Sequence, residues 1–420
     1  MTTGRSKTPY FVRPPTAVLT RGFDPRLSVG SARPAVFRSS TYVFSSPEAA
    51  ERAFAIALGR SKPAEGENVD LIYSRLSHPN AEILENQVTP LEPGASSAAV
   101  FNSGMAAIST VFLTFCPPGS QFIYTTPIYG GTQHLIHQML EPLGLVGIPV
   151  PAGNTEAMTR AIAGAENLRL VLIETPANPT LVMTDIEAAA KAAFAHAQRG
   201  KLRPLVAVDN TFMGPAFQHP LQMKADLAIY SATKFLAGHS DMLGGVVLGR
   251  DPDLLDSLRG TRAILGNILQ PDECWMLDSR LPTVELRMSR QAKNAEKVVA
   301  ALAKHPKVVK LYYPSLFEDA EQKRIFDSQC KSPGSVFSLR LAGGKRGAFD
   351  FLRRLKIGHN AVSLGSVETL ACHPATTTHS EMSAEELASS GVTDDLVRVS
   401  IGVEDFRDLA SDFLAALDAL

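Results

Sequence analysis

Four short apolar runs constrain this chain most: Gln121-Phe122-Ile123-Tyr124, Leu170-Val171-Leu172-Ile173, Leu205-Val206-Ala207-Val208 and Leu227-Ala228-Ile229-Tyr230. Each is shorter than a typical helix and apolar without alternation, which is the pattern of a strand covered on both faces. Between the second and third, Asp185 to Gln198 reads as a helix, opened by a capping-box pattern in which Thr184 stands three residues before Glu187. Strands alternating with helices imply an α/β fold built on a mostly parallel sheet. Ligands in such sheets lie beyond the carboxyl ends of the strands. The fourth run leads straight into Ser231-Ala232-Thr233-Lys234, so a lysine falls where a ligand would sit.

The flanking regions differ in character. Residues 1–75 are rich in Pro, Arg and Ser, with one candidate helix from Pro47 to Leu58 and a polar loop from Gly59 to Asp70. A leading segment this long without a core of its own is expected to lie on another surface, that of a partner subunit. Residues 76–280 form the large α/β domain. From 281 a long helical pattern, Thr283 to Ala303, is followed by short strands (Val308 to Tyr313, Val336 to Leu341) and a closing helix from Glu404 to Leu420. These features read as a smaller C-terminal α+β domain over 281–420.

Composition excludes several function classes. Over 420 residues the net charge is −1, so no field of one sign favours nucleic acid or an acidic membrane surface. No apolar run is long enough to span a bilayer, and Met1 to Pro15 lack the apolar core of a signal peptide. The four cysteines (Cys116, Cys274, Cys330, Cys372) are widely spaced, which argues against a disulfide framework or a zinc site and fits a reducing cytoplasm. His373 and His379 lack acidic or cysteine partners at ligand spacing, so no metal is expected.

Six segments carry chemistry. A lysine held in apolar surroundings loses proton affinity and becomes an amine nucleophile, and Ser231 and Thr233 beside it are suited to a phosphate. Asn102-Ser103-Gly104-Met105 opens a helical pattern, where free N–H groups and the helix dipole favour an anion. A plain N-cap is the alternative there. Asp209 closes a buried strand and needs a cationic or donor partner, unless it only caps the next segment. Tyr129 precedes Gly130 and Gly131, so its ring has room to lie over a flat ligand and its phenol can exchange a proton. Pro176 and Pro179 stiffen the backbone around Asn178. Arg398, alone in the apolar alternation Val397-Arg398-Val399-Ser400-Ile401, implies a buried anion that is either a ligand carboxylate or Asp394 or Asp395.

Taken together, these segments resemble the Cys/Met-metabolism family of pyridoxal 5′-phosphate (PLP) enzymes, a branch of fold type I that contains cystathionine γ-synthase, the cystathionine lyases, methionine γ-lyase and the O-acylhomoserine sulfhydrylases. The resemblance runs from about Pro34 to the C-terminus. It rests on Tyr73-Ser74-Arg75, Ser103-Gly104-Met105, Tyr129-Gly130-Gly131-Thr132, Asn178-Pro179-Thr180, Asp209-Asn210-Thr211, Ser231-Ala232-Thr233-Lys234, Gly238-His239-Ser240-Asp241, Ser363-Leu364-Gly365 and Arg398. It implies that Lys234 carries the cofactor covalently, that Asp209 pairs with the pyridine nitrogen, and that Tyr129 stacks on the ring and acts as acid toward the departing thiol. Ser103, Gly104, Met105, Ser231 and Thr233 would hold the phosphate. Tyr73 and Arg75 would reach the phosphate of a neighbouring subunit, implying a homodimer with shared active sites within a homotetramer. Asn178, Ser363 and Arg398 would bind the substrate α-carboxylate.

Substrate choice is expected to turn on a few departures. Cystathionine γ-synthases and γ-lyases usually carry Glu where this chain has Val362, which implies a less polar distal pocket here. Methionine γ-lyases typically carry Cys where this chain has Gly131. On balance the residues resemble a methionine γ-lyase, a carbon–sulfur lyase giving methanethiol, 2-oxobutanoate and ammonia. The alternatives are a sulfhydrylase on an acylhomoserine, or a cystathionine γ-synthase or γ-lyase. An aminotransferase of the same fold is disfavoured by the Tyr-Gly-Gly-Thr and Ser-Ala-Thr-Lys contexts. A cofactor-free scaffold is disfavoured by retention of every cofactor-contacting position.

Overall fold

The computed structural model describes residues 13–20, 22–64 and 66–420. The first twelve residues of the leading segment lie outside it. Seven strands build the main sheet: β1 (Ser97–Phe101), β2 (Gln121–Thr126), β3 (Val146–Pro151), β4 (Leu168–Glu174), β5 (Leu205–Asp209), β6 (Leu227–Ser231) and β7 (Gly245–Gly249). Their spatial order is β1-β7-β6-β5-β4-β2-β3. The five strands from β6 to β3 run parallel, and β7 lies antiparallel between β1 and β6. All four apolar runs fall in this sheet, as β2, β4, β5 and β6. One face packs on a core that includes Phe101, Phe112 and Phe122, the other on cores that include Ile123, Val171 and Val208 or Val100, Tyr230 and Val246. Burial on both faces explains the unbroken apolarity of the central strands.

A second sheet follows, made of β8 (Val308–Tyr312), β9 (Val336–Leu341), β10 (His359–Asn360), β11 (Leu370–Cys372) and β12 (Leu396–Ser400), in the order β10-β11-β12-β9-β8. The helices Val284–Leu302, Gly344–Arg354 and Phe406–Asp418 pack on it around Phe337, Phe351 and Phe413. Among the described residues no helix is long and apolar enough to cross a membrane.

Two local expectations change. The helix after β4 spans Ile186–Ala197, and its N-cap is Asp185, whose carboxylate accepts the Ala188 N–H at 2.8 Å. The Thr184 capping box does not form, because the Thr184 hydroxyl accepts the Gly153 N–H at 3.1 Å instead. Asp and Thr both cap well, and a partner outside the helix decides between them. Arg398 does not pair with Asp394 or Asp395. Asp395 accepts Nε of Arg340 at 3.0 Å across the neighbouring strand.

Candidate active site

Five strand ends converge on one cavity of about 270 Å³. After β1, Ser103 is the N-cap of the helix Gly104–Phe115, its hydroxyl accepting the Ala106 N–H at 3.0 Å. A lone pair of the hydroxyl serves the cap and its O–H remains able to donate, while the N–H groups of Gly104 and Met105 have no partner within the helix. A Cβ on Gly104 would lie 2.8 Å from Cβ of Ser231 and 2.9 Å from its Oγ. Glycine thus lets the helix N-terminus and the end of β6 meet around a shared recess. Thr233 lies in the turn after β6, its hydroxyl accepting the Gly244 N–H at 3.0 Å. Free N–H groups, hydroxyls and the positive end of a helix dipole suit a phosphate.

Lys234 follows directly. Its Nζ donates to Oγ of Ser363 at 2.9 Å. Burial first, and the charge of Arg398 second, bring its pKa from 10.5 down to about 8. Asp209 ends β5 in the same cavity. Thr211 donates to its Oδ1 through both the backbone N–H at 3.1 Å and the hydroxyl at 2.6 Å. Burial still raises the pKa of Asp209, only partly offset by Thr211. A protonated ring nitrogen against this carboxylate would supply the cation it lacks.

The opposite wall belongs to Arg398 in β12, which is 2% exposed. Its guanidinium donates to Oδ1 of Asn178 at 3.1 Å and to the carbonyls of Val362 (2.7 Å) and Ser363 (3.1 Å). It forms no ion pair among the described residues. A buried guanidinium without a counter-charge is a site for an anion, and its planar fork suits a carboxylate. Tyr129 stands at the mouth, 42% exposed, as the N-cap residue of the helix Gly130–Leu135. A Cβ on Gly131 would come within 2.7 Å of Cε1 of Tyr129 and 3.2 Å of the Met105 sulfur. The space a cysteine would need is filled by the ring itself.

Tyr73 and Arg75 are not part of this cavity in their own chain. Tyr73 bridges to Thr41, and Arg75 donates to the carbonyl of Ala263 at 2.6 Å. The cavity opens past Tyr129, Val362 and Thr378 into an outer basin of about 810 Å³. Val362 is apolar, as expected, but the basin beyond it is walled by Gln133, His134, Glu381 and Glu386. The distal region is therefore more polar than Val362 alone implied.

Two site residues had no role assigned from the sequence. Glu174 ends β4 beside Asp209, its register partner in β5, and is 5% exposed. Burial and the neighbouring Asp209 charge push its pKa well up. The signal that found Asp209, a carboxylate closing a buried strand, applied equally to Glu174. His379 is buried, contacts the Asn178 carbonyl through Nε2 at 3.2 Å, and is pushed down to about 4 by burial and Arg398. Its partners are remote in sequence, and no local pattern marks it.

A lysine of depressed pKa, a carboxylate awaiting a cation, and a phosphate recess around one slot define a pyridoxal-phosphate enzyme of fold type I. The chain belongs to the Cys/Met metabolism PLP-dependent enzyme family, whose model matches residues 15–418. It is 38% identical to L-methionine gamma-lyase of Fusobacterium nucleatum over 92% of this chain and 93% of that one. It is 36% identical to cystathionine gamma-lyase of Bacillus subtilis over 85% and 91%. The structure superimposes with TM-score 0.87 on cystathionine gamma synthase from Xanthomonas oryzae pv. oryzae in complex with cystathionine, at 31% identity, covering 97% and 98%. The protein is thus a PLP-dependent enzyme of sulfur amino-acid metabolism. When bound, the cofactor supplies an electron sink that acidifies the substrate Cα–H.

Proposed function

We propose that the protein is a carbon–sulfur lyase that converts methionine and water to methanethiol, 2-oxobutanoate and ammonia. The observation that carries this reading is that the base and the carboxylate site share one residue. Ser363 accepts from Nζ of Lys234 through its hydroxyl and from Arg398 through its carbonyl. A substrate carboxylate on Arg398 and Asn178 would then hold Cα in reach of the lysine amine. Phosphate ligation falls to Ser103, Gly104, Met105, Ser231 and Thr233, and Asp209 would keep the ring nitrogen protonated. In this reading Lys234 removes the Cα proton, loss of a Cβ proton then lets the γ-thiolate leave, and Tyr129 protonates that thiolate at the mouth. Val362 beside the mouth suits an S-methyl group. The sequence relatives named as L-methionine gamma-lyases support the same choice.

A second reading is cleavage or synthesis of cystathionine, favoured by the polar outer basin, where Glu381 and Glu386 could face a distal ammonium. Incubation with methionine, cystathionine, cysteine and O-acetylhomoserine, with and without sulfide, separates these. Equimolar methanethiol and 2-oxobutanoate from methionine is the expected result. Turnover confined to O-acetylhomoserine plus sulfide, without a 2-oxo acid, would exclude the lyase reading.

The active site is shared between two subunits of a homodimer within a homotetramer. Tyr73 and Arg75 lie outside their own cavity, and Ile264 and Leu265 stand exposed next to Ala263, the residue that Arg75 bonds. Exposed apolar groups beside an arginine so placed support a subunit contact there. Four free cysteines, three of them buried, support a reducing, cytoplasmic setting.

A further inference from the structure

We propose that Glu174 is a positioning residue that ties Tyr129 and the carboxylate-binding pair Asn178–Arg398 to one buried carboxyl group, so that seating of a substrate carboxylate also fixes the tyrosine. This rests on the reading of Arg398 and Asn178 given above. The two oxygens of Glu174 serve two different loops. Oε1 accepts the Asn178 N–H at 2.8 Å, and Oε2 accepts the Tyr129 N–H, also at 2.8 Å. Its own N–H donates to the Thr125 hydroxyl at 3.0 Å, which anchors it to β2. The loop after β4 and the turn after β2 therefore meet at a single side chain. Asn178 passes the constraint on, because its Oδ1 accepts from Arg398 at 3.1 Å.

A purely structural cap would not choose a carboxylate in this place. Glu174 is 5% exposed and adjoins Asp209, so its charge is opposed by both burial and a like charge. A buried ionisable group is costly, and here only the two amide donors and the charge of Arg398 offset part of that cost. What a carboxyl group offers is two oxygens that can each accept, since even when protonated it keeps acceptor capacity beside its one O–H. Glutamine has one acceptor, and its amide nitrogen would confront a backbone N–H. Glu174→Gln must therefore release either Tyr129 or Asn178 without changing side-chain volume.

The test uses holoenzyme and glycine, which has the α-amine and carboxylate but no side chain to eliminate. Glycine binding is read from the absorbance change of the bound cofactor, alongside melting temperature and the near-ultraviolet circular dichroism of the cofactor band. For Glu174→Gln we expect glycine binding about ten- to a hundred-fold weaker, as for loss of one hydrogen bond to a charged group. The cofactor dichroism should fall as the Tyr129 ring loosens, with melting temperature and cofactor content unchanged. KM for the substrate should rise more than kcat falls. In an Asn178→Ala background, Glu174→Gln should add less than about three-fold, since coupled residues are not additive. Glycine affinity within about two-fold of wild type, unchanged dichroism, or full additivity with Asn178→Ala would each overturn the proposal. Should Glu174→Gln fail to fold, Glu174→Asp, too short to reach both amides, is expected to show the same losses. If Arg398→Met leaves glycine binding intact, it is the carboxylate site that has been misassigned. Lack of turnover with methionine would bear on the substrate alone.

Discussion

The free amine of Lys234 should titrate near pH 8 in the apoprotein, more than two units below an ordinary lysine. A fall from 10.5 to about 8 corresponds to roughly 3 kcal/mol against the ammonium. At pH 7.5 about a quarter of the molecules would then carry the neutral amine, against about one in a thousand for an unperturbed lysine. Only the neutral amine attacks an aldehyde. The rate at which apoprotein takes up pyridoxal phosphate, followed by absorbance, should therefore rise with pH through a midpoint near 8. Burial is the larger cause and Arg398 the second, so Arg398→Met should move the midpoint up while leaving it below 10.5. The folded apoprotein disfavours the proton, so this group lowers stability below about pH 8, by at most roughly 3 kcal/mol. That loss is recovered as pH rises from about 8 to the unfolded value of 10.5. A wild-type midpoint near 10, or a downward shift in Arg398→Met, would refute both the burial and the proximity of the two cations.

Other changes test single parts of the site. Gly104→Ala puts a methyl group within 2.8 Å of Ser231, so the stability of the apoprotein should fall by about 1–3 kcal/mol, the usual cost of overpacking, and affinity for pyridoxal phosphate should fall as the recess is pushed apart. Gly131→Cys requires space held by the Tyr129 ring, and should lower kcat and melting temperature together rather than improve methionine turnover. Val362→Glu places a carboxylate between the inner cavity and the polar basin, and the ratio of kcat/KM for cystathionine to that for methionine should rise about ten-fold, near the size of one charge-assisted contact. A ratio that stays constant would show that this position does not read the distal group.

Much of this architecture is written locally. Burial on both faces makes β2, β4, β5 and β6 continuous apolar runs, so the sheet was legible, and with it the place where Lys234 would fall. Asp209 and Arg398 stood out because each is a polar group in a context that burial should forbid, and Tyr129 because two glycines follow it. What local reading lost depends on distance in the chain. The choice of Asp185 over Thr184 as cap turns on Gly153, 31 residues before Thr184. The fate of Asp395 turns on Arg340 in the adjacent strand. Glu174 looked like an ordinary strand end because its two partners, Tyr129 and Asn178, meet only once the turn after β2 and the loop after β4 are folded together. The polar basin likewise joins residues 133–137 to 377–386, so Val362 by itself misjudged it.

The central claim is that Lys234 is the residue that carries pyridoxal phosphate. Borohydride reduction of holoenzyme followed by peptide mapping tests it most directly. A single reduced pyridoxyl adduct on the peptide containing Ser231-Ala232-Thr233-Lys234, absent in Lys234→Ala, is the predicted result. An adduct on another lysine, or none at all in coloured holoenzyme, would contradict it.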